Sequence, residues 1–131
     1  MFIAGGIYRF HYLWAMQKAR GEESGRKARP VCLVFKLPAA DTSLLLFPIT
    51  TSEPGLERLV LEIPAPERRR ANLTARSWII IDEYNKTKRD AAFDFESLEP
   101  IRHFSQGFLT RIAEIIKEHS KDRKIKAVQR S

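Results

Sequence analysis

The sequence predicts an α+β fold, mainly β: about five short strands forming a small, strongly bent antiparallel β-barrel, followed by a C-terminal α-helix. Three observations carry this. Residues 7–14 alternate, with Tyr8, Phe10, Tyr12 and Trp14 on one face and Ile7, Arg9, His11 and Leu13 on the other. Two near-continuous apolar runs, residues 30–35 and 44–49, flank a turn signal at residues 37–41 and read as a hairpin of buried strands. Helical spacing appears only later, where Phe108, Ile112, Ile115 and Ile116 recur with Leu109 alongside, giving an amphipathic helix over residues 105–119.

The remaining elements follow from local chemistry. Residues 17–28 are charged and contain glycine, which marks a surface loop. Residues 59–63 alternate like a strand and are broken by Pro64 and Pro66, after which residues 67–72 can form one helical turn. Residues 76–83 are rich in β-formers and read as a strand, with Arg76, Trp78, Ile80 and Asp82 on one face and Ser77, Ile79, Ile81 and Glu83 on the other. Residues 84–90 read as a basic polar loop, and residues 93–95 as a short returning strand. The barrel domain is therefore expected over residues 1–120, and residues 121–131, basic and poor in apolar groups, as a disordered tail.

With 131 residues the chain has room for one core, and 44% hydrophobic residues suffice to build it. The lone Cys32 lies inside an apolar run, so an inert buried thiol in a reducing compartment is expected. No apolar stretch approaches the roughly 20 residues of a membrane helix, and the start of the chain lacks the basic region of a signal peptide, so a soluble cytoplasmic protein is expected. Net charge +7 favours polyanionic partners. His103 and His119 lack companions at metal-ligand spacing, so neither a metal site nor a cofactor is expected.

Three short segments carry a resemblance. Gly5, Ile7 and Tyr8 open the first strand; Glu22, Gly25, Arg29 and Pro30 precede the second; Pro48, Ile49 and Thr50 end the third. In order and spacing these resemble the MazF/PemK family of toxin-antitoxin ribonucleases, with two extra residues between Gly25 and Arg29. The likeness runs from about Gly5 to His119. It implies a bent antiparallel barrel with a C-terminal helix, shared with the gyrase poison CcdB, and a homodimer. It also implies cleavage of single-stranded RNA without metal, by attack of the ribose 2′-hydroxyl, leaving a cyclic phosphate and a 5′-hydroxyl.

Such a reaction needs charge stabilisation at phosphorus, a proton acceptor and a proton donor. Arg29 suits the first role because a guanidinium grips two phosphate oxygens at once. Thr50 can bond another phosphate oxygen, although a threonine at a strand end also bonds its own backbone. The sequence leaves the proton acceptor and donor open; His11 is the histidine nearest the barrel strands. Glu22, Gly25, Thr51, Arg76, Asp82, Lys86 and Lys88 are expected to line the RNA cleft. Some family members carry an arginine two residues before the aspartate matched by Asp82, and here that position is Ile80.

The implied partners are single-stranded RNA, a cognate antitoxin protein and a second copy of the chain. Two other readings use the same fold: a nucleic-acid-binding barrel that does not cut, and an inhibitor that binds a protein target as CcdB does. The segments around Arg29 and Thr50 favour the nuclease, since the gyrase poison depends on its C-terminal residues.

Overall fold

The computed structural model describes residues 2–22, 25, 27–37, 42–90, 94–122 and 125–130. The elements are β1 (Gly6–Phe10), α1 (Ala15–Ala19), β2 (Arg29–Lys36), β3 (Ser43–Thr50), β4 (Val60–Glu62), α2 (Ala65–Arg70), β5 (Trp78–Ile80), β6 (Glu83–Lys88), β7 (Arg102–His103), α3 (Gln106–Ser120) and β8 (Lys126–Gln129). The strands form one mostly antiparallel sheet in the order β4-β5-β3-β2-β1-β7, with β6 pairing β3 and β8 pairing β6. This path is open. Pro64 stops β4, and β7 runs into the Ser105 cap of α3, so both edge strands are short and the pairings do not close into a ring.

β2 and β3 occupy the middle of the sheet, which explains why their sequences are continuous apolar runs without alternation: both of their faces are buried. On one face Val31, Leu33, Leu44 and Leu46 meet Tyr8, Phe10, Tyr12 and Phe95. On the other, Cys32, Val34, Phe47 and Ile49 meet Ile79, Ile81 and the α3 residues Phe108, Leu109 and Ile112. The register pairs Val31 with Pro48, Cys32 with Phe47 and Leu33 with Leu46, then shifts between Leu33 and Phe35. The opposite edge of β3 is shared. Residues 43–46 pair with β6 and residues 49–50 with β5; Pro48, which has no N–H to donate, falls in the gap between the two ladders.

α3 begins where Ser105 Oγ accepts from the Phe108 N–H at 3.2 Å. Glu67 of α2 fastens that cap: its carboxylate accepts from Ser105 N at 2.8 Å and from Ser105 Oγ at 2.6 Å.

Four sequence expectations need correction. The segment expected to be a disordered tail contributes β8, parallel to β6, with Val128 and Arg130 buried. Its single inward apolar residue is too weak a signal to reveal a strand whose partner lies some forty residues away. Residues 84–90, expected to be a loop, contain most of β6. There the buried face is polar, with Glu83, Asn85 and Thr87 inward, so the usual hydrophobic alternation is absent. The expected strand over residues 76–83 is interrupted at Ile81 and Asp82, and a turn of helix, α1, begins the expected loop over residues 17–28. Residues 38–41 and 93 lie outside the described residues, and Phe95 makes an isolated bridge to Phe10.

Candidate functional site

Continuing the β2–β3 register beyond Val31 and Pro48 brings Arg29 and Thr50 opposite one another at one end of the hairpin. Both line a cleft of about 350 Å³, together with Lys27, Thr51, Ser52 and Ser77. Its polar lining is therefore two cations and four hydroxyls, beside apolar groups that include Ile49 and Leu73. The Arg29 guanidinium lies over the Trp14 ring, 5.1 Å from its centroid, a cation–π contact. Among the described residues no carboxylate pairs with it and no hydrogen-bond acceptor holds it. Partial burial lowers its pKa from the ordinary arginine value, because the charged form has lost water without gaining a counter-ion. An anion entering the cleft would supply what the fold withholds.

Thr50 is half-exposed, and its Oγ1 accepts from the Ser52 N–H at 3.1 Å. That bond shapes the turn leaving β3 and leaves the hydroxyl hydrogen free to point at a ligand. Thr51 is exposed at the rim. Gly25 belongs to the segment that leads to Arg29. A Cβ there would run into the carbonyl oxygens of His11 and Tyr12, so only glycine lets this segment pass so close to the end of β1. Glu22 donates its N–H to the Gln17 carbonyl at 3.1 Å and stands beside α1, outside the cleft wall.

The other expected cleft residues lie elsewhere. Asp82 accepts from Arg58 Nε at 2.9 Å and Nη2 at 2.6 Å, and from the Leu59 N–H at 3.1 Å. Beside it Glu83 accepts from Arg58 Nη2 at 3.0 Å, from Tyr12 OH at 3.0 Å and from the Ala15 N–H at 2.9 Å. These groups line a second cleft of about 400 Å³ with Ala15, Met16 and Lys126. The Tyr12 hydroxyl is held well above its ordinary pKa, first by burial and then by the adjacent Glu83 carboxylate. Arg76 is turned outward, with Nε 2.7 Å from Glu62 and its guanidinium over the Trp78 ring at 4.9 Å. Lys86 and Lys88 lie opposite Leu45 and Ser43, at the far end of β3. Seven residues separate Ser43 from Thr50, about 23 Å of strand. Ile80 is buried and lines neither cleft.

Sequence reading missed three participants. Trp14, assigned only to an aromatic face, supplies the platform under Arg29. Arg58 shows no sequence signal of its role, since its partners Asp82 and Glu83 lie twenty-four and twenty-five residues away. Arg130, assigned to the tail, inserts its guanidinium beneath β1: it donates to the His11 carbonyl at 2.9 Å and to Asn85 Oδ1 at 3.0 Å, and pairs with Asp94. Asn85 in turn pairs with Leu13 as a strand would, accepting from its N–H at 2.8 Å and donating to its carbonyl at 2.7 Å.

No protein-family model and no curated protein matches the chain.

Proposed function

We propose that the protein is a toxin-type endoribonuclease resembling the MazF/PemK family, cutting single-stranded RNA without metal through attack of the 2′-hydroxyl. The observation that carries this reading is the meeting of Arg29 and Thr50 in one cleft, with the Arg29 guanidinium stacked, partly desolvated and without a counter-ion among the described residues. In this scheme Arg29 grips the two non-bridging oxygens of the scissile phosphate and stabilises the extra charge that develops there. Thr50, Thr51 and Ser52 donate to the same phosphate or to its neighbour. The protein is read as a homodimer whose copies bring their clefts to a shared groove at the interface, and an acidic antitoxin segment would silence the enzyme by occupying it.

One observation favours a second reading. Among the described residues lining the cleft there is no histidine and no carboxylate to accept the 2′-hydroxyl proton. A barrel that binds RNA without cutting it would have this wall. Incubating the protein with a long RNA in EDTA separates the two: fragments ending in cyclic phosphate and 5′-hydroxyl support the nuclease, binding without fragments supports the second reading, and a magnesium requirement or 3′-hydroxyl ends overturns the mechanism.

A further inference from the structure

α2 ends with Arg68, Arg69 and Arg70, and the carboxylates near it are already engaged. Glu67 is bonded to the cap of α3, and Glu62 is held by Arg76 at 2.7 and 3.0 Å. Among the described residues none of the three arginines makes a salt bridge, although the charge of Arg68 contributes to lowering the Glu62 pKa after the larger effect of Arg76, and Arg68 Nε is buried with no hydrogen-bond acceptor. Asn72 then takes a left-handed conformation, with φ 57°, and turns the chain back so that Leu73 N–H bonds the Arg68 carbonyl at 2.8 Å.

That turn builds a cleft of about 320 Å³ walled by Arg68, Arg69, Asn72, Leu73 and Thr74. Leu73 also lines the cleft of Arg29 and Thr50. The two basic clefts are thus neighbours with one apolar residue between them. This is the composition of a single-strand track: cations for successive phosphates, with an apolar surface for a base or sugar in between.

We infer that the Arg68–Arg69 cleft is a second phosphate subsite, which carries the single-stranded RNA across Leu73 and away from the Arg29 centre. The inference rests on the reading of that centre as an RNA site. On this arrangement short substrates reach only Arg29 and Thr50, whereas longer ones engage both clefts.

The test uses a labelled, mixed-sequence 2′-O-methyl RNA 12-mer, which lacks the attacking hydroxyl and stays intact. Its affinity is measured by anisotropy across a salt series. For a single strand, every phosphate that is no longer neutralised makes the negative slope of log K against log salt shallower by about 0.7. Arg69 is exposed, so R69A is expected to fold and to make the slope shallower by about 0.7; R68Q/R69A is expected to make it shallower by about 1.4. The matched control, K117Q for R69A and K36Q/K117Q for the double variant, lies at the far end of β2. If R69A and the double variant keep the slope of that control, the second subsite is overturned, while a loss in R29A alone leaves the first centre standing. If R29A keeps the wild-type slope and the α2 variants do not, the reading of the Arg29 centre fails and the α2 cleft is the RNA site by itself.

Discussion

Two arginines, Arg29 and Arg58, show how the same side chain serves opposite ends within one small fold. Arg58 makes four hydrogen bonds to the carboxylates of Asp82 and Glu83, and its pKa is raised, chiefly by the bonds to Asp82. Arg29 rests on an indole ring with no carboxylate partner among the described residues, and burial lowers its pKa. Each borders a cleft of similar size. The difference lies in whether the chain completes its own electrostatics: where it does, the charge holds elements together, and where it does not, the charge stays without a counter-ion at a cleft wall. Asp82 looked like a cleft residue in the sequence, but its bonds to Arg58 and Leu59 belong to the first kind.

The sharpest way to break this comparison is to remove each cluster in turn. Arg29→Ala is expected to lower the rate of RNA cleavage by roughly 100 to 1000-fold, the usual effect of deleting one preorganised charge-stabilising donor. Its unfolding free energy should change by less than about 1 kcal/mol, since the substitution removes only a half-exposed stacking interaction. Cleavage assays paired with urea unfolding check both halves, and wild-type activity in the variant would return Arg29 to an ordinary strand-edge role.

Glu83→Ala should do the reverse. It leaves the buried Tyr12 hydroxyl and the Ala15 N–H without acceptors, which costs about 1 to 3 kcal/mol of stability for each orphaned donor. The cleavage rate of the fraction that remains folded should hold. A large loss of rate with unchanged stability would move Glu83 into the reaction.

Thr50→Val is predicted to reduce cleavage about tenfold, the worth of one hydrogen bond of about 1.4 kcal/mol, with a stability change within about 1 kcal/mol. If cleavage is unaffected, the Thr50 hydroxyl acts only on its Ser52 N–H.

Tyr12→Phe sharpens the other side. At neutral pH it removes one bond to Glu83 and should cost about 1 kcal/mol. Because the folded state holds the Tyr12 proton above the ordinary value of 10.0, the unfolded chain releases it first, and wild-type stability falls as pH rises past about 10. Below that pH the contribution is intact. The variant should lose this part of the alkaline decline, a difference that thermal unfolding between about pH 8 and 11 would reveal.

How much of this was legible in the sequence depends on where the informative neighbours lie. The β2–β3 hairpin was readable because its apolar runs are short and adjacent, and pairing them places Arg29 near Thr50 without knowledge of the rest. α3 was readable from spacing alone, to within a residue at each end. β6 was not, because its inward residues Glu83 and Asn85 are satisfied by polar partners such as the Tyr12 hydroxyl, the Leu13 backbone and Arg58, and inward polar groups imitate a loop. β8 was hidden for a related reason: Val128 is its one buried apolar residue, and Arg130 is buried against Asp94, Asn85 and the Phe10 ring. The placement of Lys86 and Lys88 away from the cleft also depended on β6 pairing with the opposite end of β3.

The hairpin also sets an order of assembly. Its two strands are joined by a short connection, so closing it costs little chain entropy, whereas the bond from Tyr12 to Glu83 spans 71 residues and that from Arg130 to His11 spans 119. Contacts with short loops are expected to form early and those with long ones late. The end of the molecule that holds Arg29 and Thr50 would then be sketched early in folding, and the acidic cluster and the buried arginine would lock it late; in a transition-state map, core substitutions in the hairpin should slow folding, while those around Glu83 and Arg130 should mainly speed unfolding.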